Sequence, residues 1–234
     1  MKLEDLFSKL SLGVLSNLAI GSEGQGTIPP QHQHRLAMMV DNALVQLYGR
    51  FNLLEREMVI RIYGSWTEYP FEKRYADMDP TIGPKFIEDS SANPFTEDVL
   101  KILQIFNEWG EEIVLNDPGD ATSLFTPNSR LLLVPYPVDG DCYHLLYQAY
   151  HPKIVTAAPI SLTQGILVPP VLVPALEHHV AYQVLSPMNG AEVTTKAGEH
   201  LARFEMICAE AEARDLASSS LTQTHMKLED RGFA

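Results

Sequence analysis

Eight histidines are the first residues of this 234-residue chain that invite chemistry. Imidazole binds metals and moves protons near neutral pH. The spacing suits neither role. His32 and His34 are two apart, which on a helix sets them about 200° apart around the axis. A regular helix cannot close both on one ion. His178 and His179 are adjacent and diverge by about 100°. Glu177 precedes them, but two histidines four apart with Glu between, the metalloprotease arrangement, are absent. Two acid-x-acid pairs, Asp77 with Asp79 and Asp139 with Asp141, have the residue type for divalent ions or general acid–base work. Each sits beside Pro80 or Gly140, where Asp is common because it stabilises turns. Gly21, Gly24 and Gly26 resemble a phosphate cradle loosely, but no Lys-Ser or Lys-Thr follows them. No Gly-x-Ser-x-Gly elbow is present, and neither Cys142 nor Cys208 has a candidate base nearby in sequence. The expectation is a protein that is not an enzyme, with no metal and no cofactor. A metal-dependent hydrolase using the histidines and acid pairs is the weaker alternative. A stronger alternative is a carbohydrate- or protein-binding module. It would use Tyr136, Tyr143, Tyr147 and Tyr150 with Trp66 and Trp109 as a stacking face; aromatics at strand spacing are more often core.

The elements that would carry these residues fall into three blocks. Leu3, Leu6, Phe7 and Leu10 predict a short helix ending near Gly13. Pro29 and Pro30 suit a helix start. Leu36, Met39, Val40, Ala43, Leu44, Leu47 and Tyr48 form one stripe, predicting a helix over 31–48 that closes at Gly49. The period then changes. Met58, Ile60 and Ile62 alternate with Glu57, Val59 and Arg61, as in a half-buried strand. Short apolar runs follow, separated by turn signals at Trp109-Gly110, Asp117-Pro118-Gly119-Asp120 and Asp139-Gly140. Asp-Gly is the strongest hairpin signal among them. Helical periodicity returns with Ala175, His179 and Tyr182, and again with Ala197, Leu201, Phe204, Cys208 and Ala211. The fold class expected is α+β: a helical bundle from the N- and C-terminal segments, an inserted antiparallel β domain and an extended C-terminal tail. In residues this means 1–54 with 166–216 as one bundle, 55–165 as the inserted domain, and 217–234 as the tail.

Composition narrows the function classes. Seventeen basic and thirty acidic residues leave a net charge of −13. Phosphate backbones and anionic membrane surfaces repel such a chain. Two cysteines exclude a disulfide scaffold and suit reducing cytoplasm. Glu4 and Asp5 stand where a secretory signal carries positive charge. The run from Ile166 to Leu176 is too short and too broken by prolines to span a bilayer. A soluble product outside the membrane is expected.

The order of features points further. A helical start, "FSKLSLGVLSNLAIG", leads to "HRLAMMVDNALVQLYGRF". The middle carries "DVLKILQIF", "EEIVLNDP", "SLFTPNSRLLLVPYP" and "LLYQAYHPKIV". The end carries "LVPALEHHVAYQVLSPMNG" and "KAGEHLARFEMICAEAEARD", with the aromatic-acidic pair Phe204-Glu205. This arrangement resembles the head-to-tail adaptor proteins (head-completion or tail-tubular type) of tailed bacteriophages. The resemblance covers most of the chain in layout and is most specific in the last third. It implies a structural protein of the virion neck, made in the host cytoplasm. It implies a ring, usually of twelve copies, docked beneath the portal protein and offering a platform to a tail or nozzle protein. DNA passes through without specific binding. The C-terminal tail of such adaptors reaches into the portal; here that segment includes Leu221, Thr222, His225, Lys227, Arg231 and Phe233.

Charge suits a conduit. From Lys85 to Asp120 there are nine acids and two bases. Glu108, Glu111 and Glu112 are the densest group and are candidate lumen acids. Repeated around a ring, they would repel DNA phosphates and keep passage slippery. The plainer reading is a solvated, solubilising surface.

Overall fold

The computed structural model describes residues 1–91, 94–156 and 159–217. It is an α+β protein with antiparallel sheets. The chain divides into two compact units. Among the described residues, one comprises Met1–Leu53 together with 151–217; the other is Leu54–Tyr150.

The first unit is helical. Helix α1 spans Leu3–Leu12 and buries Leu3, Leu6, Phe7 and Leu10. The Asp5 carboxylate accepts the Lys2 N–H at 2.9 Å and so closes its first turn. Helix α2, Pro30–Arg50, starts on a proline whose missing N–H is no loss there, and buries the predicted stripe from Leu36 to Tyr48. Met39 is the exception, only partly buried. The helix does not close at Gly49. It continues one residue to Arg50, whose side chain is anchored on the last helix, as described below. Helix α3 spans Val173–Leu185 and α4 spans Ala191–Ala213. Within this unit α3 packs against α4, α2 and α1. No helix among the described residues is long and apolar enough to cross a membrane.

The connector from α1 to α2 takes an unusual path. Ser22 and Glu23 have φ of 55° and 51°, followed by Gly24 at 78°. A left-handed non-glycine residue costs about 1–2 kcal/mol. Ser11 clamps this turn from α1. Its buried hydroxyl donates to the Gly21 carbonyl at 2.6 Å and accepts the Gly26 N–H at 3.0 Å.

Among the described residues the second unit holds seven strands: β1 Glu55–Arg61, β2 Glu68–Pro70, β3 Ile87–Glu88, β4 Val99–Phe106, β5 Phe125–Asn128, β6 Leu131–Leu133 and β7 Cys142–Ala149. They form a four-stranded sheet of order β3-β1-β7-β4 and a three-stranded sheet of order β2-β6-β5. Met58, Ile60 and Ile62 are buried, as their alternation predicts. The unit opens and closes on neighbouring strands, with Glu55 opposite Gln148 and the Ala149 N–H on the Leu54 carbonyl. An insertion needs this closeness of its two ends. Both sheets contribute to one core that includes Ile60, Tyr69, Phe86, Ile105, Leu132 and Leu145.

Two expectations need correction. The inserted unit stops at Tyr150, not 165. The described residues of 151–165 belong with the helices, where α1 has amides to satisfy. The Leu3 and Glu4 N–H groups donate to the Gln164 and Leu162 carbonyls at 2.9 and 3.0 Å. Asp139-Gly140 turns the chain, with Gly140 at φ 94°, but makes no hairpin. β6 and β7, on either side of it, lie in different sheets. The two-residue hairpin is Ser129-Arg130 between β5 and β6, with the Asn128 side chain accepting the Arg130 N–H. Ala217 is buried and ends the described residues; the rest of the predicted tail lies outside them.

Candidate functional site

The candidate lumen acids sit on a tight turn after β4. The Asn107 N–H donates to the Glu111 carbonyl and the Gly110 N–H to the Asn107 carbonyl. The Asn107 side-chain oxygen accepts the Trp109 and Glu111 N–H groups at 3.0 and 2.8 Å. Gly110 supplies the positive φ of 80° that the reversal requires. Two of the three carboxylates are fixed by neutral donors. Asn107 Nδ2 donates to Glu111 at 2.8 Å, and Gln104 Nε2 donates to Glu112 at 3.0 Å. Amide donors hold a carboxylate in place without cancelling its charge, so the turn presents fixed negative charge. Glu108, Glu111 and Glu112 are all exposed. Trp109 stands among them at 75% exposure.

The proposed portal-binding residues, Leu221, Thr222, His225, Lys227, Arg231 and Phe233, lie outside the described residues.

The acid pairs are committed to structure. Asp77 pairs with Arg61 at 3.1 Å, and Asp79 accepts the Thr81 N–H at 2.9 Å. That hydroxyl-bearing turn and Lys85 hold the Asp79 carboxyl below its ordinary range. Asp139 accepts the Gly64 N–H at 3.1 Å, and Asp141 faces the Tyr143 hydroxyl. The aromatics do not share a face. Tyr143 and Tyr147 are buried, Trp66 packs edge-on against Phe86 and Tyr75, and Tyr136 is 75% exposed. Among the described residues no group of three or more His, Cys, Asp or Glu is placed to hold a metal ion.

No known protein family matches the chain, and no curated protein is similar to it.

The histidines divide by environment. His34 is exposed and donates from Nδ1 to the Thr156 carbonyl at 2.9 Å. His151 is buried. Its Nδ1–H donates to the Pro152 carbonyl at 2.6 Å, its Nε2 accepts the Leu167 N–H at 3.1 Å, and the Tyr48 ring meets it edge-on. Burial holds its pKa below 6.5. The His179 ring lies tilted against Phe204, with centroids 4.7 Å apart, and accepts from Gln183 Nε2 at 2.9 Å. His178 meets His200 of α4, a partner 22 residues away that adjacency in sequence does not suggest.

A second group escaped sequence reasoning. Arg50, at the end of α2, reaches two carboxylates of α4: Nη1 lies 2.6 Å from Glu205 and Nε 2.6 Å from Glu212. Cys208 is buried between these two acids in sequence, and burial pushes its thiol up to about 11. Such a thiol stays protonated and unreactive at neutral pH. A cleft of 440 Å³ also lies along α1, lined by Glu4, Asp5, Ser8, Thr27 and Gln33 above Phe7. Lys2 occupies the Glu4 carboxylate at 3.3 Å.

Proposed function

We propose that this chain is a non-catalytic structural protein of a tailed-phage neck. Copies form a ring that joins the portal to the tail or nozzle protein and extends the DNA channel. The observation that carries the reading is the nested architecture. A β unit is let into a helical unit through two neighbouring strands, so α1 and α4 belong to the same unit. This is the layout that the order of sequence features predicts, and it is that order of features which resembles the adaptors. The net charge of −13 supports a conduit that does not grip its cargo. So do the fixed carboxylates of the turn at 107–112. A ring requires two different, complementary patches on each subunit, since head-to-tail contacts must close on themselves.

The deciding measurement is mass and shape in solution with the portal of the same particle present. A ring of many copies on the portal is expected. A monomer indifferent to the portal would sink the proposal. Deleting residues 217–234 should abolish docking while leaving the circular dichroism of the body unchanged. Normal docking by the truncated chain removes the portal-binding role of the tail.

One observation favours a second reading. Trp109 and Tyr136 are large aromatics with most of their surface in solvent, as in a sugar- or protein-binding module. A glycan array addresses it directly: binding lost on Trp109→Ala would support it over the ring.

A further inference from the structure

The α3–α4 interface carries a pair of imidazoles that the ring proposal does not use. His178 Nδ1 and His200 Nδ1 lie 3.0 Å apart, with ring centroids 5.2 Å apart and planes inclined by 39°. Both rings are half-buried. At that separation one nitrogen carries a hydrogen and the other a lone pair, because two N–H groups or two lone pairs repel. The pair therefore demands complementary protonation.

One added proton satisfies that demand. It goes to Nε2 of the donating ring, leaves the Nδ1–H···Nδ1 bond in place and makes it charge-assisted. A second added proton does not. It must take the lone pair of the accepting Nδ1, which removes the acceptor and sets two imidazoliums face to face.

The surroundings oppose that second proton. From α4, Arg203 places positive charge near both rings, and Glu199 offers a single opposite charge near His200. From α3, the neighbouring Glu177 is itself held toward its neutral form by burial and faces Lys9 of α1. His179 faces Glu205 of α4. α2 meets α3 through the Met39 carbonyl, which accepts from Gln183 at 3.1 Å. The 3-10 turn Pro170–Leu172 brings no titratable side chain. Burial and Arg203 push both imidazoles below 6.5, and the facing His200 ring adds to the lowering at His178.

We propose that His178 and His200 form a proton-operated latch between α3 and α4, closed with up to one added proton and opened by the second. Opening is local, because the far half of α4 is held by other means. Phe204, Cys208 and Ala211 are buried there, and Arg50 grips Glu205 and Glu212. Carboxylates keep their charge well below the imidazole range, and Arg50 holds Glu212 lower still. Mild acid thus frees residues 191–203 first.

Hydrogen exchange read by mass spectrometry on the full chain tests this, as protection factors corrected for the intrinsic pH effect. One proton taken up on opening changes the opening constant about tenfold per pH unit. Protection of 191–203 should fall by about tenfold or more between about pH 7 and pH 5, while 205–213 changes far less. His200→Asn and His178→Asn each replace one ring by a non-titrating hydrogen-bonding group, to which the remaining imidazolium can donate. In both, protection of 191–203 should stay level over the same range. His144→Asn, an exposed histidine of the β unit, should behave like the parent. Unchanged protection in the parent chain, or a drop that persists in the Asn variants, overturns the proposal. Should one variant fail to fold, the other carries the comparison. Imidazole nitrogen NMR gives an independent readout: two coupled steps are expected from the pair, and two independent titrations would overturn the latch.

Discussion

His151 shows how a buried ring sets a pH limit on the helical unit. Its Nε2 accepts the Leu167 N–H and its Nδ1–H is already used, so protonation breaks a hydrogen bond inside the core. The folded pKa lies below the unfolded value of 6.5. The unfolded chain therefore takes up the proton first as pH falls. Stability from this ring is full above 6.5 and drains as pH drops through the folded value. Glu177 acts in the opposite sense, since burial raises its carboxyl and the folded chain takes that proton first. His151→Asn should flatten the acid side of a plot of urea midpoint against pH. An unchanged slope would show that the ring binds its proton equally in both states. Ser11 gives a second test at this scale. Its hydroxyl satisfies two backbone groups of a left-handed turn, so Ser11→Ala should cost about 1–3 kcal/mol by urea denaturation.

Among elements, the connection of α2 to α4 rests on Arg50. Both its carboxylate partners are on the solvent side, so screening weakens the link. Arg50→Met should lower the thermal midpoint at low salt and have little effect at high salt. A loss independent of salt would mean that packing of the Arg50 stem matters more than its charge. In the β unit, Phe86 is fully buried and meets the rings of Trp66, Tyr69 and Tyr75. Phe86→Ala should cost about 3–5 kcal/mol in urea. Gly21 is constrained by space, since an added methyl would collide with the Leu15 carbonyl. Gly21→Ala should cost about 1–3 kcal/mol, read the same way.

For the whole molecule, the ring proposal predicts self-association that depends on the portal. It also predicts how charge acts within the assembly. Replacing Glu108, Glu111 and Glu112 with Gln removes three negative charges per copy from a turn whose backbone bonds do not need them. Rings of this variant on the portal should still form. DNA retention on a mobility-shift gel should rise above that of the parent. Equal retention would place these acids away from the channel and leave them as solubilising surface.

Helix positions and the first strand of the insertion were legible before any coordinates. Leu36 to Tyr48 and the Met58-Ile60-Ile62 alternation are local patterns, because a helix or strand repeats its own geometry every few residues. The preference for core over a stacking face at Tyr143 and Tyr147 was legible too, although the strands that complete that core lie far away in sequence. The fixed carboxylates of 107–112 were half legible: Trp109-Gly110 announced the turn, while the grip of Asn107 and Gln104 on Glu111 and Glu112 did not show. Three features came only from tertiary structure: the His178–His200 contact, the reach of Arg50 to α4, and the attachment of 151–165 to α1. Each joins groups 22 or more residues apart. Such meetings are set by how helices pack and where backbone amides find acceptors, and no local spacing encodes either.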